Sequence, residues 1–260
     1  MNLQHTNDNP GIAAHHMAIA FAKAFDTGNP AGGTKMASGG VMLITGEAHP
    51  LGNFAIGLAD DEVPAASAAL AETGLPACLL FTDGVSEEAR AHATQAGFSH
   101  EAALPAMAVD LATLPGTDLA AGYSIVRLVP GDDPAPWART LAEGYGLPQP
   151  VADAFSPKTI PIEGSSDADM QFFAALYGGA PVAVSMLIGA QGVAGIYCVA
   201  TLPEHRQRGL GAALTAEPLR RAAAQGYRVG VLQASEMGYS VYRKLGFVDT
   251  GSVVMLLRMP

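Results

Sequence analysis

The spacing Arg-x-x-Gly-x-Gly, at Arg206, Gly209 and Gly211, is the feature that most limits how this chain can fold. It lies between a continuous apolar segment, residues 193–202, typical of a buried strand, and an Ala- and Leu-rich segment that predicts a helix. The first N–H groups of a helix lack partners within it, and the helix dipole is positive at that end. Glycine lets an anion approach such a backbone without a Cβ in the way. The spacing therefore predicts a strand–loop–helix unit that binds a pyrophosphate.

A second pattern lies farther along, where residues 238–247 read GYSVYRKLGF. Tyr242 stands four residues before Gly246, and a second strand candidate, residues 228–235, precedes it. The order of strand, Arg-x-x-Gly-x-Gly, helix, strand, short helix with Tyr and then Leu-Gly-Phe resembles the core of the GNAT N-acetyltransferase superfamily. The resemblance covers residues 165–250 most strongly.

The resemblance implies that the chain binds acetyl-CoA as a co-substrate. Backbone groups of the first strand would hold the pantetheine arm, and amides of the following loop would hold the pyrophosphate. Tyr242 would hydrogen-bond or protonate the departing thiolate and is the implied catalytic residue. Ser235 stands where many relatives carry an Asn that contacts the pantetheine arm, although a hydroxyl reaches less far. The implied cofactor-binding residues are Val199, Ala200, Thr201, Arg206, Gln207, Arg208, Gly209, Leu210, Gly211, Ala212 and Ser235.

A general base for the amine is the missing group. An aliphatic ammonium near pKa 10 must lose a proton before attack, and some relatives place a Glu on the cofactor strand, but residues 193–202 contain no carboxylate. Tyr197, or a water chain through it, is one candidate relay, and His205 is expected to face solvent. The carboxylates near in sequence are Glu163, Asp169, Glu204 and Glu236.

Other conspicuous side chains have ordinary interpretations. Adjacent helical residues do not share a face, so we expect His15 and His16 at the surface. Trp137 and Tyr145 are candidates for lining an acceptor pocket, with core packing as an equal alternative. The seven His residues show no ligand spacing with Cys or carboxylates, so we expect no metal.

The first half resembles a degenerate copy of the same unit. Gly97-Phe98 follows a short predicted helix, as Gly246-Phe247 does, and a strand containing Met follows each. Where the copy should show Arg-x-x-Gly-x-Gly, residues 60–66 read DDEVPAA, whose three carboxylates would repel a pyrophosphate. Residues 91–93, Ala-His-Ala, stand where the tyrosine should be.

We therefore predict a tandem GNAT-like acyltransferase fold of the α/β (α+β) class, with a mixed and mostly antiparallel sheet flanked by helices. Residues 1–118 would form the degenerate domain and residues 119–260 the catalytic domain. The alternative is one enlarged domain with an N-terminal α/β extension.

The charge distribution argues against nucleic acid as a partner. The net charge is −10 at pH 7, and residues 1–120 hold 3 Lys and Arg against 13 Asp and Glu, while residues 121–260 hold 11 of each. Binding to a phosphate backbone needs basic patches, which this chain does not concentrate. The acid excess would suit a cationic acceptor if those carboxylates border the cleft.

The apolar segments and the two cysteines bear on the cellular compartment and the oligomeric state of the protein. No run approaches the roughly 18 apolar residues of a membrane helix, and residues 1–16 are too polar for a secretory signal, so we expect a cytoplasmic protein with no membrane partner. Cys78 and Cys198 lie in separate apolar runs typical of two buried thiols, with a disulfide as the alternative. The oligomeric state is open, although an apolar terminal strand, residues 251–259, favours edge pairing and hence a homodimer.

Together these points predict an acetyl-CoA-dependent N-acetyltransferase that acetylates a primary amine of a small molecule or peptide by direct attack in a ternary complex. The first half would cover or shape the acceptor side. One alternative is a non-catalytic CoA-binding or interaction module with the same fold, which the missing base motivates. The other is an enzyme that uses a longer acyl-CoA.

Overall fold

A computed structural model describes residues 11–26, 33–82, 84–157 and 170–260. Within these ranges the chain forms seven helices and a sheet of eleven strands. The first half contributes α1 (Ile12–Asp26), β1 (Thr34–Lys35), β2 (Val41–Ile44), β3 (Asn53–Ile56), α2 (Val63–Glu72), β4 (Ala77–Phe81), α3 (Glu87–Gln95) and β5 (His100–Asp110). The second half contributes β6 (Tyr123–Arg127), α4 (Ala135–Tyr145), α5 (Gln149–Phe155), β7 (Met170–Tyr177), β8 (Ala180–Ala190), β9 (Val193–Thr201), α6 (Leu210–Ala224), β10 (Val229–Gln233), α7 (Glu236–Lys244) and β11 (Val248–Arg258).

The strands form one continuous sheet in the order β1-β2-β3-β4-β11-β5-β10-β9-β8-β7-β6. Two neighbouring pairs are parallel, β3 with β4 and β9 with β10, and the other pairs are antiparallel. The predicted mixed and mostly antiparallel sheet flanked by helices is therefore confirmed.

Each half gives its last strand to the other half. β5 follows α3 in the chain but pairs with β10, and β11 follows α7 but pairs with β4. The two exchanged strands also pair with each other, antiparallel, at the centre of the sheet. Moving outward from this central pair, the first two strands on either side form a parallel pair, β4 with β3 on one side and β10 with β9 on the other. Apart from the additional edge strand β6, the strand order is thus symmetric about the exchange, as expected for two copies of one unit.

The position of β11 overturns one argument made from the sequence. An apolar terminal strand was expected to lie at an edge and favour pairing with a second chain, but β11 lies between β4 and β5, and the edges are β1 and β6. That reasoning was wrong because the exchange already supplies both neighbours of β11. A homodimer stays a prediction without this support.

The core has two layers, one on each face of the sheet. On one face, α1, α4 and α5 cover a single cluster that includes residues of both halves. On the other face there are two clusters: α6 and α7 cover the cluster of the second half, and α2 and α3 cover the cluster of the first half. Strand alternation divides β5 between the faces, with Ala106 and Ala108 on one side and Met107 and Val109 on the other. Trp137 is 1% exposed and its indole N–H donates to the carbonyl of Phe173, so it packs the core and does not line a pocket.

Thiols and helix lengths complete the description. Both cysteines are free, Cys78 buried and Cys198 partly exposed, which favours the expectation of two thiols over a disulfide. Among the described residues no helix combines the length and apolar character that crossing a bilayer requires.

We place the boundary between the copies at residues 118 and 119, and the strand exchange makes a prediction about it. Expressed alone, neither residues 1–118 nor residues 119–260 should show a cooperative thermal transition, because β4 and β10 would each lose a neighbouring strand. Co-expressed, the two fragments should purify as one complex by size exclusion. Independent cooperative folding of each fragment would contradict the prediction, since it would require β5 to pair with β4 directly.

Candidate functional site

The parallel strands β9 and β10 separate partway along their length. They pair at Val193, Ala194 and Gly195, whereas β9 continues to Thr201. On its other side β9 stays paired with β8 as far as Thr201. The edge of β9 that faces β10 is therefore left with backbone groups that no strand uses beyond Gly195. The predicted residues Val199, Ala200 and Thr201 lie on this edge.

A bulge interrupts β9 at the same place. Its register with β8 shifts between Val184 and Met186, so that Ser185 faces both Cys198 and Val199. Cys198 has φ +53°, a left-handed conformation that costs a non-glycine residue about 1 to 3 kcal/mol. Bulges of this kind re-aim strand groups and are common beside active sites. Burial raises the pKa of the Cys198 thiol to about 12, so the thiol is protonated at neutral pH.

The loop after β9 contains two residues in the left-handed conformation. A 3₁₀ turn, Pro203–His205, leads to Gln207 at φ +60° and Gly209 at φ +78°. The first hydrogen bond of α6 runs from the Ala213 N–H to the Gly209 carbonyl, so the amides before Ala213 are not used by the helix. Left-handed residues in such a loop direct successive N–H groups to one point and make an anion site. We call residues 206–212 the nest; because the Arg206 N–H donates to the Pro203 carbonyl at 3.3 Å, the amides that it offers to an anion begin at Gln207.

Gly211 shows that the nest has room for a ligand. A Cβ at this position would meet no atom within 4 Å, and its φ is not in the left-handed range. The space beside the amides is therefore open, as a pyrophosphate requires. The nest fits the group that the sequence predicted for it.

The arginines of the nest point elsewhere. Arg206 donates from Nε to the Thr201 carbonyl at 3.2 Å and from Nη2 to the Gly144 carbonyl at 2.9 Å. Arg208 donates from Nη2 to the Glu204 carbonyl at 3.4 Å. Arg206 therefore joins the nest to the end of α4, and the backbone provides the anion-binding groups.

Tyr242 is positioned by the glycines around it. A Cβ at Gly238 would lie 2.8 Å from Cε2 of Tyr242, so glycine one turn earlier makes room for the ring. The helix ends with Gly246 at φ +90°, where the Phe247 N–H donates to the Tyr242 carbonyl and the Gly246 N–H to the Arg243 carbonyl, both at 3.1 Å. This is the Schellman termination. The Leu-Gly-Phe pattern therefore fixes the position of Tyr242.

Tyr242 shares its surroundings with Tyr145 and Cys198. Burial raises the pKa of Tyr242 to about 12, while hydrogen bonding with Thr215 acts in the opposite direction. Tyr145, the last residue of α4, is 48% exposed, yet protein surrounds its hydroxyl closely enough that lost hydration raises its pKa, with smaller contributions from Tyr242 and Cys198. A ring that is both open to solvent and surrounded by protein lines a cleft. Tyr242 and Cys198 are thus close enough to Tyr145 to influence its hydroxyl electrostatically.

Ser235 has a structural role in this arrangement. It is the N-cap of α7, and its Oγ accepts from the Gly238 N–H at 3.2 Å. Its hydroxyl oxygen supports the helix that carries Tyr242, and contact with the pantetheine arm stays a prediction.

Tyr197, the candidate relay, has its hydroxyl turned back along β9. His16 Nε2 lies 3.2 Å from the Val193 carbonyl, which can only accept, so Nε2 carries the proton. Nδ1 is then the acceptor for the Tyr197 hydroxyl, at 2.8 Å. A Cβ at Gly195 would lie 2.7 Å from that hydroxyl, which places it over the paired part of β9 and away from the bulge. The contact joins α1 to β9 and does not put a proton acceptor beside Cys198.

The surface position expected for His16 was wrong. His16 is 3% exposed and burial lowers its pKa to about 4, so the imidazole is neutral, whereas His15 is exposed. Because adjacent helical residues point in different directions, α1 can pack one of the pair against the sheet while the other faces solvent. The sequence signal that could have found this was the apolar run on both sides of the pair.

The four carboxylates that lie near the site in sequence are not gathered at the cleft by the described chain. Glu204 is exposed in the 3₁₀ turn, Glu236 is exposed at the start of α7, and Glu163 and Asp169 lie outside the described residues. Within the described ranges, no three His, Cys, Asp or Glu side chains come together as a metal site.

The first half repeats the framework of this site without its chemistry. Ser86 caps α3 by accepting from the Ala89 N–H at 3.1 Å, and the helix ends at Gly97 with the Phe98 N–H donating to the Ala93 carbonyl at 3.0 Å. Ala93, fully buried, therefore stands where the second half has Tyr242. The degenerate copy predicted from the sequence lacks the phenol.

A cavity of about 680 Å³ lies at the corresponding place in the first half, lined by residues at the ends of β3 and β4 and by α1. Its rim carries the acidic 3₁₀ turn Asp60–Glu62. The Glu62 carboxylate accepts from the Ala59 N–H at 2.9 Å and from the Ser38 N–H at 3.0 Å. Backbone donors here are used by the chain's own anion, so this cavity does not fit a pyrophosphate, and the chemistry places the site in the second half.

Comparisons with known proteins agree with this placement. Residues 174–248, which include β8, β9, the nest, β10 and Tyr242, match the family model of the acetyltransferase (GNAT) domain. A search of curated proteins finds no match. The chain is similar in structure to a GCN5-related N-acetyltransferase from Kribbella flavida, with 23% identity, 97% of each chain covered and a TM-score of 0.62.

Two further solved structures extend the likeness. A GCN5-related N-acetyltransferase from Sphaerobacter thermophilus is 16% identical over 97% of this chain and 93% of its own, with a TM-score of 0.58. A tandem GNAT protein from the clavulanic acid biosynthesis pathway is 16% identical over 84% of this chain and 78% of its own, with a TM-score of 0.51. The tandem GNAT-like fold is therefore confirmed, and its second half carries the match to the GNAT domain.

Proposed function

From the GNAT domain in residues 174–248, we propose that the protein is an N-acetyltransferase that transfers the acetyl group of acetyl-CoA to a primary amine. The observation that carries this proposal is the coincidence of three features along β9 and its continuation. A strained bulge at Cys198, an open nest at residues 206–212 and the buried phenol of Tyr242 occur together in the second half. The first half has the same framework with a carboxylate and an alanine instead.

The proposed reaction assigns a separate task to each part of the site. When bound, the thioester supplies an activated acetyl group. The nest amides would hold the pyrophosphate, and the free edge of β9 would hold the pantetheine arm, so that binding energy positions the reacting atoms. Tyr242 would donate a hydrogen bond to the departing sulfur. The neutral amine would attack the thioester carbonyl directly, forming the C–N bond as the C–S bond breaks, and the proton lost from nitrogen would pass to water.

We propose that the acceptor is a primary amine and that it needs no second positive charge to bind. The acidic turn Asp60–Glu62 belongs to the cleft of the first half, so it does not border Tyr242. One part of the first half that contacts β9 is α1, where His16 is neutral. The acidic turn Asp60–Glu62 is therefore not an argument for a cationic acceptor.

Release of free CoA thiol tests the proposal. The full chain is incubated with acetyl-CoA and a panel of primary amines, and thiol formation is followed with a disulfide reagent. We expect release that requires both substrates and saturates in each. Binding of acetyl-CoA without release for any amine would instead support the non-catalytic CoA-binding module, which the unassigned base favours.

The pH dependence of kcat/KM should be set by the pKa of the amine substrate and not by a side chain of the protein. Because no carboxylate is assigned as a base, kcat/KM should rise tenfold per pH unit until the pH reaches the pKa of the amine, near 10 for an aliphatic amine. Since the raised pKa of Tyr242, about 12, keeps its proton in place, no descending limb is expected below pH 10. The check is to compare amines of different pKa. A rising limb fixed at one pH for every amine would reveal a side-chain base and contradict this prediction.

A further inference from the structure

Three aromatic rings meet where β9 leads into the nest. Tyr123 and Tyr177 are opposite each other in the ladder between β6 and β7, with ring centroids 4.8 Å apart. His205, in the 3₁₀ turn, lies 5.8 Å from the Tyr123 ring and 5.4 Å from the Tyr177 ring. We call these three side chains the aromatic platform.

The aromatic platform is held in place and remains open to solvent. The Tyr123 hydroxyl and His205 Nδ1 form a hydrogen bond at 2.9 Å. Gly122 packs closely against the Tyr177 ring, since a Cβ at Gly122 would lie 3.2 Å from Cε2 of Tyr177. Tyr177 nevertheless keeps 50% of its surface exposed. A fixed and half-exposed ring contributes little to the core and offers a face for stacking.

The aromatic platform and the nest lie on the same face of the sheet. Tyr123 packs on the cluster covered by α6, the helix that the nest precedes, and His205 comes two residues before Gln207. The chain leading to Tyr123 passes the nest as well, because the Asp118 carbonyl would lie 3.7 Å from a Cβ on Gly209. The aromatic platform therefore lies close to any group that is attached to an anion in the nest.

We propose that the aromatic platform binds the adenine ring of acetyl-CoA by stacking, with Tyr177 as its exposed face. This inference rests on the proposed function and extends it to a part of the co-substrate that takes no part in the chemistry. Adenosine follows the pyrophosphate in the molecule, and stacking needs no hydrogen bonds from the protein, only an ordered aromatic face. Stacking on adenine would explain why the sheet edge at β6 exposes aromatic rings, whose contact with water is otherwise unfavourable.

Calorimetric titration of the full chain with two donors tests the inference. Acetyl-CoA carries the adenosine, whereas acetyl-4′-phosphopantetheine lacks it. Tyr177→Ala should raise the Kd for acetyl-CoA about tenfold and leave the Kd for the truncated donor within about twofold, while Tyr177→Phe should restore tight binding. Val129→Ala, at an apolar residue that is 45% exposed near the same edge, is the control and should change neither Kd.

The outcomes separate this inference from the proposed function. An unchanged Kd for acetyl-CoA in Tyr177→Ala, or an equal loss for both donors, overturns the adenine site while leaving the transferase intact. If the wild-type chain binds neither donor, the proposed function fails and the inference fails with it. Melting temperatures of the unliganded variants within a degree of wild type exclude misfolding as the cause of a loss.

Discussion

Replacing Tyr242 with Phe should lower kcat about 100-fold while the Kd for acetyl-CoA stays within about twofold. The substitution removes one oxygen from a ring that glycines and a Schellman termination already hold, so the fold should tolerate it. A group that acts only as the sulfur departs contributes to the transition state and not to substrate binding. The expected loss therefore appears in kcat.

The pKa of Tyr242 decides how it can act. At about 12 it exceeds that of an ordinary thiol, near 8.5, and the difference corresponds to about 5 kcal/mol against complete proton transfer. A hydrogen bond that strengthens as negative charge develops avoids this cost. Tyr242 is thus expected to stabilise the thiolate as a donor, with the proton finally supplied by solvent.

Tyr239→Phe is the matched control in the same helix. Its hydroxyl donates to Asp249 Oδ2 at 2.8 Å, outside the cleft, so kcat should stay within about twofold of wild type. An equal loss in both variants would mean that α7 had been disturbed. An unchanged kcat in Tyr242→Phe would remove Tyr242 from the mechanism, and Tyr145→Phe would then test the second phenol of the cleft.

Replacing Gly211 with Val should raise the Kd for acetyl-CoA about 100-fold. The protein itself has room for the added atoms, so the fold is not expected to suffer, but the side chain would fill the space that the pyrophosphate needs. Loss of two hydrogen bonds to a charged group, at about 1.5 kcal/mol each, accounts for the magnitude. Calorimetric titration measures it.

Gly209 would be a poorer choice for this experiment, because its φ of +78° makes any substitution strained with or without a ligand. Gly116→Val is the matched control, since a Cβ there also meets no atom within 4 Å. The control should bind acetyl-CoA as wild type does. A wild-type Kd in Gly211→Val would show that no phosphate approaches these amides.

The sequence predicted the parts of the site that depend on local glycine geometry. Gly209 and Gly246 adopt the left-handed conformations that their patterns indicated, one before α6 and one after α7. Each pattern constrains the backbone over a few residues, which is why it is legible in a single sequence. The tandem organisation followed from the recurrence of Gly-Phe after a short helix.

The exchange of β5 and β11 was not predictable in this way. Both strands are apolar and both follow a Gly-Phe termination, so nothing local distinguishes pairing with β4 from pairing with β10. The bulge at Cys198 was missed because it places a non-glycine residue at φ +53°. Helix α5 was not predicted, because Pro148 and Pro150 are typical of a loop, although proline is also compatible with a first helical turn.

A thermal-shift titration with acetyl-CoA tests the central claim, that the nest and the separated edge of β9 bind this co-substrate. At a hundredfold excess over Kd, binding stabilises the folded chain by about 2.7 kcal/mol, which raises the melting temperature by roughly 5 to 10 °C. We predict this shift for acetyl-CoA and CoA with the wild-type chain, and a smaller shift for ATP, which has phosphates and adenine but lacks the pantetheine arm. For Gly211→Val, whose Kd would be about 100-fold higher, we predict a shift of at most about 2 °C. The absence of a shift with acetyl-CoA in the wild type, or an equal shift in Gly211→Val, would contradict the account.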